Sequence, residues 1–114
     1  MITIYHNPRC SKSREALALL QQHCEHIAVI EYLKTPPTAA ELAAILMKLN
    51  ISARELLRSK EEEYRNLQLN NPALSEQQLI NTMVEHPRLI ERPIVVKGDQ
   101  AAIGRPLSNI SALL

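Results

Sequence analysis

Residues 1–23 read MITIYHNPRCSKSREALALLQQH, and the reading of this stretch decides the fold. Residues 1–5, MITIY, are rich in β-branched and aromatic side chains and predict a short strand. HNPRC follows as a loop, with Pro8 breaking the strand. From Ser11 to about His23 the pattern turns helical. Ala16, Leu17 and Leu20 share one face, and Cys10 or Ser11 stands at the cap. A single cysteine therefore sits where a strand hands over to a helix, with Arg9, Lys12 and Arg14 around it. A dithiol motif would place a second cysteine at position 13, and the chain has Ser13 there.

Working outward, residues 27–32, IAVIEY, predict a second strand, and KTPPT a turn. Thr38 with Glu41 forms a capping box ahead of a helix carrying Leu42, Ile45, Leu46 and Leu49. Ser52 with Glu55 repeats the device before a short helix with Leu56 and Leu57. Residues 59–72, SKEEEYRNLQLNNP, are polar and read as irregular, their charge run as a solvated face. Ser75 with Gln78 opens a further helix that runs to His86 and stops at Pro87. Residues 94–103, IVVKGDQAAI, predict a hairpin turning at Gly98 and Asp99. A last short helix is expected from Pro106, with the proline at its first position.

The order is β-α-β, an all-helical block, then β-β-α, which makes the class α/β. It matches a thioredoxin-like mixed sheet with an inserted helical segment. The expectation is one domain over residues 1–114, with the insertion at about 38–86. Pro93 precedes the third strand, where thioredoxin-like folds carry a cis-proline, so the layout predicts a cis Arg92–Pro93 bond.

Composition narrows the function. Hydrophobic residues are 46% of the chain and aromatics 3%, so an aliphatic core forms without metal or disulfide staples. A net charge of +1 argues against general nucleic-acid or membrane-surface binding. MITIYHNPRC lacks the basic and apolar regions of a signal peptide, and no apolar run is long enough to span a membrane. A cytoplasmic location with free thiols is the expectation. A helix over residues 11–23 would set Cys10 and Cys24 roughly 20 Å apart, beyond disulfide reach. No CxxC or HxxxH-type spacing suggests a metal site.

A cysteine at a helix N-terminus meets unpaired N–H groups and the positive end of the helix dipole, which favour thiolate. The same N–H groups can seat an oxyanion. Cys10 is accordingly read as a reactive thiol rather than a small buried apolar residue, because its surroundings, His6, Asn7, Pro8, Arg9 and Ser11, are polar and loop-like. Cys24, at the unfavourable end of the helix, is read as inert. Without a resolving cysteine, CSKS must be rescued by an outside thiol. The cysteine-phosphatase loop needs an arginine six positions after the nucleophile, and Ala16 stands there.

ITIYHNPRCSKSRE resembles the active-site opening of the glutaredoxin-coupled arsenate reductase (ArsC) family. EYLKTPPTAAEL, LLRSKEEEY, ERPIVV and GRPLS resemble later parts of the same family, in order, from residue 2 to about 110. The resemblance implies a thioredoxin-like fold with a helical insertion. It places Cys10 on the family's nucleophile and His6 on a histidine that helps keep the thiolate. Arg58, Arg92 and Arg105 fall on its three oxyanion-binding arginines, and Ser13 on a small hydroxyl position close to the thiol. A guanidinium suits that role, being a planar fork that stays charged. Arg54, Arg65 and Arg88 are read as surface residues. Lys12 stands where the better-known members carry a smaller residue.

The implied activity is reduction of arsenate to arsenite, with glutathione as co-substrate, glutaredoxin as partner and no bound cofactor or metal. Nothing in the sequence demands a dimer, so a monomer is expected. Two other readings stand beside it. One is a non-catalytic regulator like the Spx-type proteins of this fold, which typically carry CxxC. The other is a glutathione-dependent thiol reductase with another substrate.

Overall fold

The computed structural model describes residues 1–114. Its chain divides into two compact units, one of residues 1–35 with 92–114, the other of residues 36–91.

The first unit is built on a four-stranded sheet. Its strands are β1 (Ile2–Tyr5), β2 (Ile27–Ile30), β3 (Ile94–Lys97) and β4 (Gln100–Ile103), in the order β2-β1-β3-β4. β1 pairs parallel with β2 and antiparallel with β3, and β3 and β4 form the expected hairpin. Gly98 turns that hairpin at φ +59°, in the left-handed region that glycine enters at little cost. The parallel pair needs a crossover, and α1 (Ser11–His23) supplies it. Ala16 and Leu20 of α1 are wholly buried with Ile2, Ile4, Val95 and Ile110, the last from α6 (Ser108–Leu113). Full burial of each large aliphatic side chain contributes about 1.5–3 kcal/mol, enough to seat α1 on the sheet. Register then brings Tyr5 beside Ile94 and Ile94 beside Ile103. The chain leaving β1, entering β3 and leaving β4 therefore meets at one end of the sheet.

The second unit is helical: α2 (Ala39–Leu49), α3 (Ala53–Leu56), α4 (Glu62–Asn66), α5 (Glu76–Glu85) and a 3-10 turn over Pro87–Leu89. All three predicted capping boxes form. Glu41, Glu55 and Gln78 donate backbone N–H bonds to Thr38, Ser52 and Ser75 at 3.1, 3.3 and 3.1 Å. Leu42, Ile45 and Leu46 of α2, Leu56 of α3 and Leu79, Ile80 and Met83 of α5 are buried. No helix is long and apolar enough to cross a membrane.

Several expectations are corrected. β2 stops at Ile30, because the Glu31 carbonyl accepts from the N–H groups of Lys34 and Thr35 and closes a turn. Residues 59–72 are not simply irregular. They contain α4, and Leu69 is buried among the polar residues. Arg54 is no free surface side chain, since Nη1 and Nη2 donate to the carbonyls of Leu69 and Asn71 at 2.8 and 2.9 Å and brace that segment. Pro106 lies before α6 rather than at its first position. The chain there makes a tight turn first, with Asn109 donating to Pro106 and Ile110 to Leu107. The predicted cis Arg92–Pro93 bond is present, and Arg105–Pro106 is cis as well.

Candidate functional site

Cys10 is the N-cap of α1, with an extended backbone at φ −96° and ψ 122° and no side-chain cap bond. Its sulfur therefore remains at the mouth of the helix, half-buried and free. Burial by itself pushes the Cys10 thiol up. Four groups reverse this: the Ser13 N–H, the Arg92 guanidinium, the Lys12 N–H and the Arg105 guanidinium. The net result lies below the ordinary value of 9.0, so the thiolate is favoured. Arg105 comes nearest by hydrogen bond, with Nη2 at 3.5 Å from Cys10 Sγ.

The loop that presents Cys10 is fixed from inside. Ser13 is wholly buried, and its hydroxyl accepts the Asn7 N–H at 3.0 Å. The same oxygen lies 2.7 Å from His6 Nδ1. Burial, more than any charge, lowers the His6 pKa below 6.5; Glu31 opposes the shift and Arg14 adds to it. A neutral ring has one acceptor nitrogen. Ser13, already an acceptor from Asn7, has its one proton left to donate, which assigns Nδ1 as acceptor and Nε2 as the protonated nitrogen. On the outside Arg14 Nη1 donates to the Pro8 carbonyl at 2.9 Å, and the Arg9 N–H donates to Asn7 Oδ1 at 3.0 Å.

The structure thus brings five of the six sequence-derived site residues into one network: Cys10, His6, Ser13, Arg92 and Arg105. His6 is hydrogen-bonded to Ser13, on the loop that presents Cys10. Arg58 lies in the helical unit just beyond α3. Its Nη1 donates to the Arg88 carbonyl at 3.1 Å and its Nη2 pairs with Glu61 at 2.8 Å. The Lys12 side chain is exposed and lies 4.0 Å from Glu15, so its contribution to the thiolate is made by its main chain. The sequence pointed to the helix terminus without singling out the Lys12 and Ser13 N–H groups, and Arg14, one of the cations beside Cys10 in the sequence, braces Pro8. Cys24 is the C-cap of α1, packed against the core of the sheet. No group of three His, Cys, Asp or Glu side chains could hold a metal ion.

A mixed sheet, a cis-proline opening β3 and a lone thiol at the start of α1 define a thioredoxin-like protein with a single cysteine at that helix mouth. The comparisons narrow this further. The ArsC family model matches residues 5–113, and the chain belongs to the ArsC family. It is similar to the arsenate reductase of Neisseria meningitidis serogroup A, at 49% identity over 99% of this chain and 97% of that protein. It is 53% identical to the uncharacterized protein YfgD of Escherichia coli K12, over 96% of this chain and 92% of that one. Among solved structures, the arsenate reductase from Vibrio cholerae superposes with a TM-score of 0.95 at 46% identity, covering 99% of this chain and 97% of that one.

Proposed function

We propose that this chain is an arsenate reductase that reduces arsenate to arsenite through the Cys10 thiolate, with glutathione and glutaredoxin supplying the electrons. The observation that carries the reading is the placement of Arg105 Nη2 3.5 Å from Cys10 Sγ, at a helix mouth where the Lys12 and Ser13 N–H groups also point to the sulfur. One arrangement supplies both the nucleophile and a seat for a tetrahedral oxyanion. The arsenate reductases from N. meningitidis and V. cholerae, to which the chain is similar over nearly its whole length, support that substrate.

The Cys10 thiolate attacks arsenic(V), and a protonated arsenate oxygen leaves as water. Glutathione thiolate then attacks arsenic in the resulting sulfur–arsenic adduct, and a second protonated arsenic oxygen leaves as water. A glutaredoxin thiolate then attacks the glutathione sulfur, the sulfur–arsenic electron pair stays on arsenic, and arsenic(V) becomes arsenic(III). Two thiols are oxidised to one mixed disulfide. Hydrolysis of the Cys10 adduct releases arsenite and restores the thiolate. Arg92 and Arg105 offset the charge of thiolate and arsenate together. His6 and Ser13 are positioning residues, Ser13 serving the anion through its N–H rather than its hydroxyl. The family resemblance also implies an anion-binding role for Arg58, which in the helical unit pairs with Glu61. In this reading residues 1–114 work as one thioredoxin-like domain with the helical insertion at about 38–86, in the cytoplasm, as a monomer.

The test is arsenite production with glutathione and glutaredoxin for wild type, Cys10→Ser and Arg92→Ala. Wild type should exceed the Cys10→Ser background clearly, with Arg92→Ala between them. Wild type indistinguishable from Cys10→Ser would overturn the reading.

A further inference from the structure

The chain has two glycines, and they meet opposite surroundings. A Cβ on Gly98 would have no atom within 4 Å. A Cβ on Gly104 would lie 2.8 Å from Pro93 Cγ, 3.3 Å from Pro93 Cδ and 3.3 Å from Ile110 Cγ1. Real Cβ atoms essentially never show the 2.8 Å contact, the two 3.3 Å contacts are tight, and a pyrrolidine ring closed onto its own backbone cannot swing aside as a flexible side chain can. Gly104 is also bonded to the residue it touches, its N–H donating to the Pro93 carbonyl at 2.9 Å. One residue on each strand further out, Arg105 Nε donates to the Arg92 carbonyl at 2.8 Å. The first bond continues the β3–β4 pairing past Ile94 and Ile103, and the second, from a side chain, ties together the two segments that carry the arginines beside Cys10.

We propose that Gly104 is a positioning residue: its missing side chain lets Pro93 close against it, and this closure holds Arg92 and Arg105 beside the Cys10 sulfur. The inference rests on Cys10 being the reacting thiol. A methyl group at residue 104 forces Pro93 away. The Gly104–Pro93 bond opens, the Arg105–Arg92 bond loses its register, and the guanidiniums retreat from Sγ.

The test reads the thiol directly, by alkylation rate with iodoacetamide against pH, alongside thermal unfolding. Weakening one nearby cation cuts the thiolate population about tenfold below the midpoint. The stronger nucleophilicity of a less acidic thiol returns about threefold, leaving a net loss of about threefold. Gly104→Ala should therefore react about threefold more slowly at about pH 6. Gly98→Ala, strained at φ +59° but far from any clash, lowers the unfolding temperature and leaves the alkylation rate unchanged. Equal alkylation in Gly104→Ala and wild type, or equal slowing in both glycine variants, would overturn the proposal. Arg105→Lys supplies the second arm if Gly104→Ala does not fold. It keeps a cation but loses the Nε bond to Arg92, so it should also slow by about threefold. Wild-type reactivity in Arg105→Lys overturns the clamp. Because alkylation involves no arsenic, failure of the function reading and failure of this one are separable.

Discussion

Replacing Ser13 by alanine removes one atom, and the structure says what that atom supports. Ser13 Oγ accepts the Asn7 N–H at 3.0 Å and meets His6 Nδ1 at 2.7 Å, in a place with no solvent exposure. Ser13→Ala therefore leaves the half-buried Asn7 N–H and the buried His6 Nδ1 without the partner they share. Each orphaned group costs about 1–3 kcal/mol, less where the loop relaxes. Alanine returns about 0.5 kcal/mol of helix propensity at the start of α1. A net loss of about 2 kcal/mol follows, a large share of the stability of a domain this size. With an unfolding entropy of about 2.1 cal/mol/K per residue, the unfolding temperature should fall by about 8 °C. Thermal and urea unfolding followed by circular dichroism measure it. The thiol should keep most of its reactivity where the loop holds, because residue 13 retains the N–H that faces the sulfur. A fall of less than about 2 °C would refute the reasoning, since it would mean that the His6–Ser13–Asn7 network carries no strength.

Arg105→Met removes the guanidinium 3.5 Å from Cys10 Sγ and should slow alkylation at about pH 6 about threefold, by the same balance of thiolate population and nucleophilicity. Burial lowers the His6 pKa below 6.5, so on acidification the unfolded chain takes up a proton that the folded chain resists. The stability tied to neutral His6 is full above 6.5 and lost as pH falls through its lowered folded value; urea midpoints of wild type should show this slope and those of His6→Gln should not. Lys12→Ala keeps the N–H at the sulfur and should alkylate like wild type, whereas Lys12→Pro removes it and should alkylate more slowly.

What the sequence revealed depends on how local each signal is. Strand β1, helix α1, the three capping boxes and the hairpin rest on side chains within a few residues of one another, and all were legible. The cis bond at Pro93 came from the fold layout rather than from residues nearby. Helix α4 was hidden, because its sequence EEYRN has no apolar face and Leu69, buried beyond its end, is a lone apolar residue in a polar run. Arg54 was misread for the same reason. Its partners are carbonyls of residues 69 and 71, and a carbonyl has no sequence signature. At the site, Cys10 and the arginines were legible as residue types. The helix-terminus N–H groups were legible as a class, but the particular donors, Lys12 and Ser13, and the close approach of Pro93 to Gly104 were not, because they depend on how the folded chain packs.

The position occupied by Ser13 then takes on a different meaning. In a dithiol protein residue 13 would carry the resolving cysteine, and its loss would look like a defect. Here its oxygen is turned inward, between His6 and Asn7, and holds the loop that carries Cys10. A thiol is a weak donor and a weak acceptor, so a cysteine there would give up both bonds in order to gain a resolving group. Holding the loop and resolving a mixed disulfide are competing uses of one side chain. A site that keeps the serine keeps its geometry and must take its second thiol from solution, which is the chemistry that glutathione and glutaredoxin would supply.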